Sequence, residues 1–390
     1  MSNSDNIIMV SADRSVVAGE RGPFYYMLES FHRHWGRVDV IGTRPGKVEH
    51  KTMFGNVHLH HPTTGKLAQA KFIADTGRRL ASERPYTVIT SHDYNPFYNG
   101  LGSWRISRAT GIPYVAEIHH VPGFPRAASF RERIDAPMTR LYAGWAKTRA
   151  AGFRVVNGIE LPRLLGGWGV PAERIHVLPS LYLDRETFSP AAPGDQEAGA
   201  TPECDLLFVG RLVPNKGVPA ILEGLAELER RGLSGLRLRL VGRGPELQAV
   251  KAFAEQHGAQ DRIENIEWVP DAAALAEVYR KARFLVCAST SEGGPRVVAE
   301  AMACGTPVVS TEVGIVTELI RHGDNGLLFD GSGKHLADVL EPLLSDPTAE
   351  QSMRSRLRPE DLDGYEGDTV IARLADGLKE IATAARARRG

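Results

Sequence analysis

The chain has 390 residues, 42% of them hydrophobic and 24% charged, which is enough for two packed domains and too balanced a composition for a disordered chain. Basic and acidic residues are equal at 47 each, yet residues 1–190 carry a net charge of +8 and residues 191–390 a net of −8, so the two halves face different partners. Cys204, Cys287 and Cys304 show no C-x-x-C spacing, which sets aside a disulfide framework and a thiolate zinc site, and no signal peptide or anchor helix is visible; a cytoplasmic protein is expected.

In chain order, apolar runs at 6–11, 38–42, 86–90, 112–118, 153–157 and 175–179 alternate with helical patterns at 23–35 and 66–82, as in a parallel sheet with helical crossovers. His58, His60 and His61 lack an acidic or cysteine partner nearby and read as a surface strand rather than a metal site. Residues 121–154 hold seven basic side chains against Glu132 and Asp135, interleaved with Phe130, Leu141, Tyr142 and Trp145. That mixture suits an anionic or membrane surface; the plainer alternative is an arginine-rich helix with its aromatics in the core. The stretch 189–203 holds three prolines and almost nothing large and apolar, and reads as a linker. Beyond it, strands are expected at 205–209, 236–241, 263–269, 284–288 and 307–310, and helices at 219–231, 246–257, 272–282 and 295–303. Val370, Leu374, Leu378 and Ile381 then recur at helical spacing, so the tail is expected to be an amphipathic helix that docks on either half.

Two segments of the second half carry the strongest chemistry. Phe208-Val209-Gly210-Arg211-Leu212-Val213-Pro214-Asn215-Lys216-Gly217 sets an apolar strand, a glycine and two cations on a loop entering a helix. Arg211 offers a planar fork of donors and Lys216 a point charge, both suited to phosphate oxygens; a solvated basic loop is the alternative for this segment alone. Ser291-Glu292-Gly293-Gly294-Pro295-Arg296 follows an apolar strand and opens a helix at Pro295, with Glu300 further inside it. The amides of Gly293 and Gly294 lie at the positive end of that helix, within reach of a phosphate or a sugar hydroxyl. Glu292 and Glu300 accept hydrogen bonds when ionised and suit the hydroxyls of two sugar rings. A glycosidase pair is set aside, because nothing around them suggests an apolar pocket that would raise one pKa.

These segments resemble glycosyltransferase family 4, the retaining, nucleotide-sugar-dependent enzymes of the α/β GT-B fold, with the likeness concentrated in residues 205–330. The resemblance implies two Rossmann-like domains facing a cleft: an acceptor domain at 1–190, a linker at 191–202, a nucleotide-sugar domain at 203–365, and a helix at 366–390 returning to the first domain. It implies that Gly210, Arg211 and Lys216 hold the donor diphosphate, that Glu292 lies near the donor sugar beside Gly293, Gly294 and Pro295, and that Glu300 lies on the ribose. Leu240-Val241-Gly242-Arg243-Gly244-Pro245 matches the family's glycine loop, and Trp268-Val269-Pro270 the segment lining the base. In the first half the resemblance points to Gly19 or Gly22 approaching the diphosphate and to His119 beside the reacting sugar with His120 as the alternative; His92-Asp93, after the apolar run 86–90, is a second candidate for the acceptor side. Arg296 stands where the family usually has an apolar residue, either as a third phosphate contact or as a surface charge. The implied reaction moves a sugar from a nucleoside diphosphate to an acceptor hydroxyl with no metal or other cofactor. Asp361-Leu362-Asp363 lies far from any strand that would present a metal-binding acid pair. The acceptor stays open among a saccharide, a lipid-linked sugar and a small molecule; no nucleic acid is expected, and peripheral membrane contact through 121–154 is one reading. An epimerase of the same fold and a non-catalytic nucleotide-sugar-binding module are the rival functions.

Overall fold

A computed structural model describes residues 5–43, 47–63, 65–191 and 202–388, so the expected linker falls almost wholly outside the described residues. Two compact units emerge: Met1–His119 with Asp135–Ser180 and Asp368–Gly390, and His120–Ile134 with Leu181–Gly367. Residues 120–134 and 181–190, read from the sequence as part of the first domain, pack with the second unit.

The first unit is built on β1 (Asn6–Val10), β2 (Arg37–Ile41), β3 (Thr52–Met53), β4 (Val57–His60), β5 (Val88–His92), β6 (Tyr114–Ile118), β7 (Gly152–Val155) and β8 (Ile175–Val177). They form one sheet in the order β3-β4-β2-β1-β5-β6-β7-β8, parallel except for the short β3–β4 pair. Ile7, Ile8, Val88, Ile89 and all of β6 are buried, because helices cover both faces of such a sheet. Strand order reverses between β1 and β5, which places the loops after these two strands side by side. The C-terminal helix Gly367–Ala387 buries Val370, Leu374, Leu378 and Ile381, and from Asp368 onward it belongs to this unit. There Lys379 Nζ donates to the His34 carbonyl at 3.1 Å, and Arg386 donates to the Thr87 carbonyl at 2.8 Å.

The second unit contains β9 (Cys204–Val209), β10 (Leu238–Val241), β11 (Ile263–Ile266), β12 (Ala282–Cys287), β13 (Val308–Thr311) and β14 (Gly326–Phe329), all parallel, in the order β11-β10-β9-β12-β13-β14. This is the doubly wound arrangement whose reversal lies between β9 and β12. Leu206, Phe208, Leu240 and Phe284 pack on one face of the sheet, and Leu207, Leu285, Val298 and Tyr279 on the other. The helix expected from Pro295 starts one residue later: Pro295 is extended, at φ −66° and ψ 103°, and caps the helix Arg296–Ala303.

Candidate functional site

Because β9 and β12 are neighbours at the reversal point, the loops that leave their carboxyl ends share one rim of the sheet. The β9 loop closes with a 3-10 turn, Pro214–Lys216, and Lys216 Nζ donates to Glu292 Oε1 on the β12 loop. Their side chains are 18% and 19% exposed, so the pair sits at the mouth of the site, shielded but open. Backbone contacts hold the loops together: the Thr290 amide donates to the Asn215 carbonyl at 2.9 Å, and Asn215 Nδ2 donates to the Ser291 carbonyl at 3.4 Å. Ser289 Oγ donates to Glu292 Oε1 at 3.4 Å, while Thr311 Oγ1 donates to the Ser289 carbonyl at 2.5 Å. Arg211 is exposed.

The β10 loop completes this rim. The Gly210 amide donates to the Val241 carbonyl at 2.9 Å, and the Leu212 amide to the Arg243 carbonyl at 2.7 Å. Gly242 has φ +144°, and a Cβ there would overlap the Gly210 carbonyl oxygen, so the position admits only glycine. Val269 is half-buried just past the end of β11, and Trp268 beside it is 73% exposed.

At the start of the helix Arg296–Ala303, Gly293 is buried and Gly294 half-buried. The Arg296 guanidinium lies 4.2 Å from the centre of the Tyr182 ring, a cation–π contact that draws it to the chain entering this unit. Glu300 is buried and accepts from the Tyr279 hydroxyl at 2.8 Å. Burial pushes its carboxyl up, and the Tyr279 hydrogen bond and the Arg296 charge offset that only in part. The Val121 carbonyl accepts from Ser291 Oγ at 3.1 Å, and the Arg126 amide donates to the Thr290 carbonyl at 3.2 Å. The segment after His119 is thereby fastened to the loop that carries Glu292.

In the first unit the structure brings His92 and His119 together, their rings stacked 4.2 Å apart at 22°. His120 is exposed and falls in the second unit. Beneath the stack, Glu117 Oε1 lies 3.2 Å from Arg154 Nη1 and Glu117 Oε2 lies 3.4 Å from His119 Nε2. Burial alone would raise the Glu117 carboxyl, but Arg154 and His119 outweigh it and hold it at about 2. Burial lowers His119, aided by Arg154 and opposed by Glu117, so the neutral imidazole is favoured. Asp93 is pushed the other way, to about 8, chiefly by burial and despite hydrogen bonds from Ser91 and Tyr142 at 2.6 and 2.5 Å. The sequence placed Tyr142 and Arg154 only in the basic, aromatic stretch 121–154 and did not join them to Glu117, whose one signal was its charge in the apolar run Tyr114–Ile118.

Gly19 has φ +81°, whereas Gly22 is an ordinary extended N-cap at φ −116°, so Gly19 is the position whose backbone requires glycine. His60, rather than lying idle on a surface strand, contacts the fully buried Asp39 at 2.7 Å, together with Arg37 and Tyr86. Asp361 is taken by Arg321 at 2.9 Å and Asp363 by Arg185 at 3.3 Å. Among the described residues no cluster of three or more histidine, cysteine or acidic side chains is placed to hold a metal, and no helix is long and apolar enough to cross a membrane.

Residues 195–359 match the model of glycosyl transferases group 1, and residues 24–180 that of a glycosyl transferase 4-like domain. A D-inositol 3-phosphate glycosyltransferase of Frankia alni is 32% identical over 303 residues, covering 73% of this chain and 72% of its own length. The chain belongs to glycosyltransferase family 4. A family member of the same description from Xylanimonas cellulosilytica is 30% identical over 283 residues, 68% of this chain and 65% of its own, so the match spans just under two thirds of that relative. Two solved structures share the GT-B fold of this family 4 chain. Sucrose-phosphate synthase of Thermosynechococcus elongatus has a TM-score of 0.79 at 17% identity, covering 97% of this chain and all of that one. HepE of Anabaena in complex with UDP and glucose has a TM-score of 0.73 at 19% identity, covering 96% and 100%.

Proposed function

We propose that the protein transfers a sugar from a nucleoside diphosphate to an acceptor hydroxyl with retention of anomeric configuration. The observation that carries this reading is the meeting of Lys216 with Glu292 at the β9–β12 reversal, beside Arg211 and the amide-lined start of the helix Arg296–Ala303. Two cations and a helix N-terminus suit a diphosphate, and a fold relative that holds UDP lends support. In this reading Glu292 engages the donor sugar, Glu300 the ribose, Gly242 the diphosphate rim and Trp268 with Val269 the base, while His119 and His92 form the acceptor-side cluster. The bond from the anomeric carbon to the β-phosphate oxygen breaks as the acceptor oxygen attacks the same face. The departing phosphate oxygen takes the acceptor proton, so no separate base is needed. Arg211, Lys216 and the helix amides stabilise the negative charge that develops, the part a divalent cation plays elsewhere.

Product analysis tests this. Incubation with a panel of nucleoside diphosphate sugars and acceptors is expected to give a glycoside of unchanged anomeric configuration at a rate that a metal chelator does not alter. An inverted product, or loss of activity on chelation, would contradict it. Interconversion of the donor sugar without an acceptor would mark an epimerase instead.

A further inference from the structure

We infer that the helix Phe130–Ala146 and the tryptophan pair beside it form a docking face for an anionic lipid bilayer, an interaction that stands independently of sugar transfer. Phe130, Ile134, Met138, Leu141 and Trp145 recur at intervals of four, four, three and four, so they line one stripe of the helix. The first four are exposed, Phe130 at 76% and Leu141 at 69%, where a helix on a globular surface turns polar residues outward. Arg131 flanks the stripe on one side, and Arg133 and Arg140 on the other; all three are exposed. The two acids of the helix are withdrawn from that face. Asp135 is buried and accepts from Asn95 Nδ2 at 2.6 Å, and Glu132 accepts from the Ala128 amide at 2.7 Å. An apolar stripe with cationic borders and no exposed acid is the arrangement of a helix lying in the plane of a membrane interface.

The patch continues onto the helix Tyr98–Thr110. Trp104 meets Trp145 edge to face at 5.5 Å, Arg149 lies 5.9 and 4.9 Å from the two ring centres, and Arg108 lies 5.6 Å from that of Trp104. Tryptophan with arginine is the composition that settles at headgroup level. Beside Trp104 opens a cleft of about 540 Å³ lined by Lys71, Arg78, Arg105 and Arg108, with Asp75 its one acidic lining residue. Asp75 pairs with Lys71 at 2.6 Å and with Arg78, so Arg105 and Arg108 are the cations this recess offers a lipid phosphate. Exposed phenylalanine and leucine call for an apolar phase and the arginines for negative charge, and an anionic leaflet supplies both.

Sedimentation of the full chain with vesicles of phosphatidylcholine, alone or with phosphatidylglycerol, tests the inference. Binding to the anionic vesicles is expected, weakened by salt and accompanied by a blue shift of tryptophan emission. One basic residue at an anionic leaflet is worth roughly fivefold in affinity, so R133E/R140E is expected to bind at least ~20-fold more weakly. L141E is expected to lose at least ~10-fold, the worth of one buried leucine side chain. Both variants keep the wild-type circular dichroism and melting temperature. Equal sedimentation with neutral and anionic vesicles, or undiminished binding by both variants, overturns the inference. So does retention on heparin without vesicle binding, which would assign the face to a soluble polyanion.

Discussion

Lys216 and Glu292 fix one another across two adjacent loops, so that, in the proposed reaction, the cation would meet a leaving phosphate from a held position. Removal of one such charge-stabilising donor commonly costs ~10²–10³ in rate. Lys216→Ala and Arg211→Ala are each expected to lower turnover at least tenfold, with circular dichroism spectra like the wild type; steady-state kinetics showing near-native turnover in both would contradict their role. Asp93 makes a prediction of a different kind. Its folded pKa, raised to about 8 by burial, lies above the value of ~3.9 for an unfolded aspartate, so the folded state binds the additional proton between those values. The fold therefore loses stability as the pH climbs from about 4 through about 8. Asp93→Asn keeps an oxygen to accept from Tyr142 and removes the titration. Its melting temperature is expected to match the wild type near pH 4 and exceed it near pH 9; a gap that does not change with pH would refute the assignment.

At the scale of elements, the parallel strands were legible because their residues are buried on both faces and appear as short apolar runs, as in β6, β9 and β12. The helix Tyr98–Thr110 was not. Its buried positions include Asn99, Gly100, Gly102, Ser103 and Ser107, so no apolar stripe marks it. Those small residues serve close packing: a Cβ on Gly102 would lie 2.6 Å from Ile73 Cγ2 of the helix Gln69–Glu83. Strand β4 was legible only as a surface strand: its inward Val57 and Leu59 alternate with histidines, and the contact of His60 with the buried Asp39 came from the fold alone. The Gly-Arg-(x)4-Lys and Glu-(x)7-Glu spacings were readable because each lies on one continuous loop or loop–helix segment. The Asp93, Glu117, Tyr142 and Arg154 cluster draws on separate elements, and only the fold assembles it. The glycine loop after β10 yields a test at this scale. Gly242→Ala combines φ +144° with an overlap on the Gly210 carbonyl, so it should cost ~1–3 kcal/mol and weaken donor binding. Urea unfolding and donor titration measure the two effects, and a variant with wild-type values for both would show that the loops after β9 and β10 do not need this approach.

Over the whole molecule, the equal totals of 47 basic and 47 acidic residues conceal a basic first half and an acidic second half, so in the proposed reading an anionic donor on the second unit would be gathered by local cations rather than by net charge. The C-terminal helix closes the chain back on the first unit, so that unit is assembled from three separated segments. The expected stripe of Val370, Leu374, Leu378 and Ile381 was legible from spacing; its own residues do not specify which half it covers, and only the resemblance to the family named the first domain. Binding energy gained at the proposed diphosphate site would be expressed in the stability of the protein, because a ligand that binds only the folded state stabilises it. The most direct test of the account is a thermal-shift titration of wild type and Lys216→Ala with a panel of nucleoside diphosphates and their sugars. At a ligand concentration about 100 times its dissociation constant, one of them should stabilise the wild type by ~2.7 kcal/mol, with a much smaller gain for the variant at the same concentration. No stabilisation by any nucleoside diphosphate, or equal stabilisation of both proteins, would contradict it.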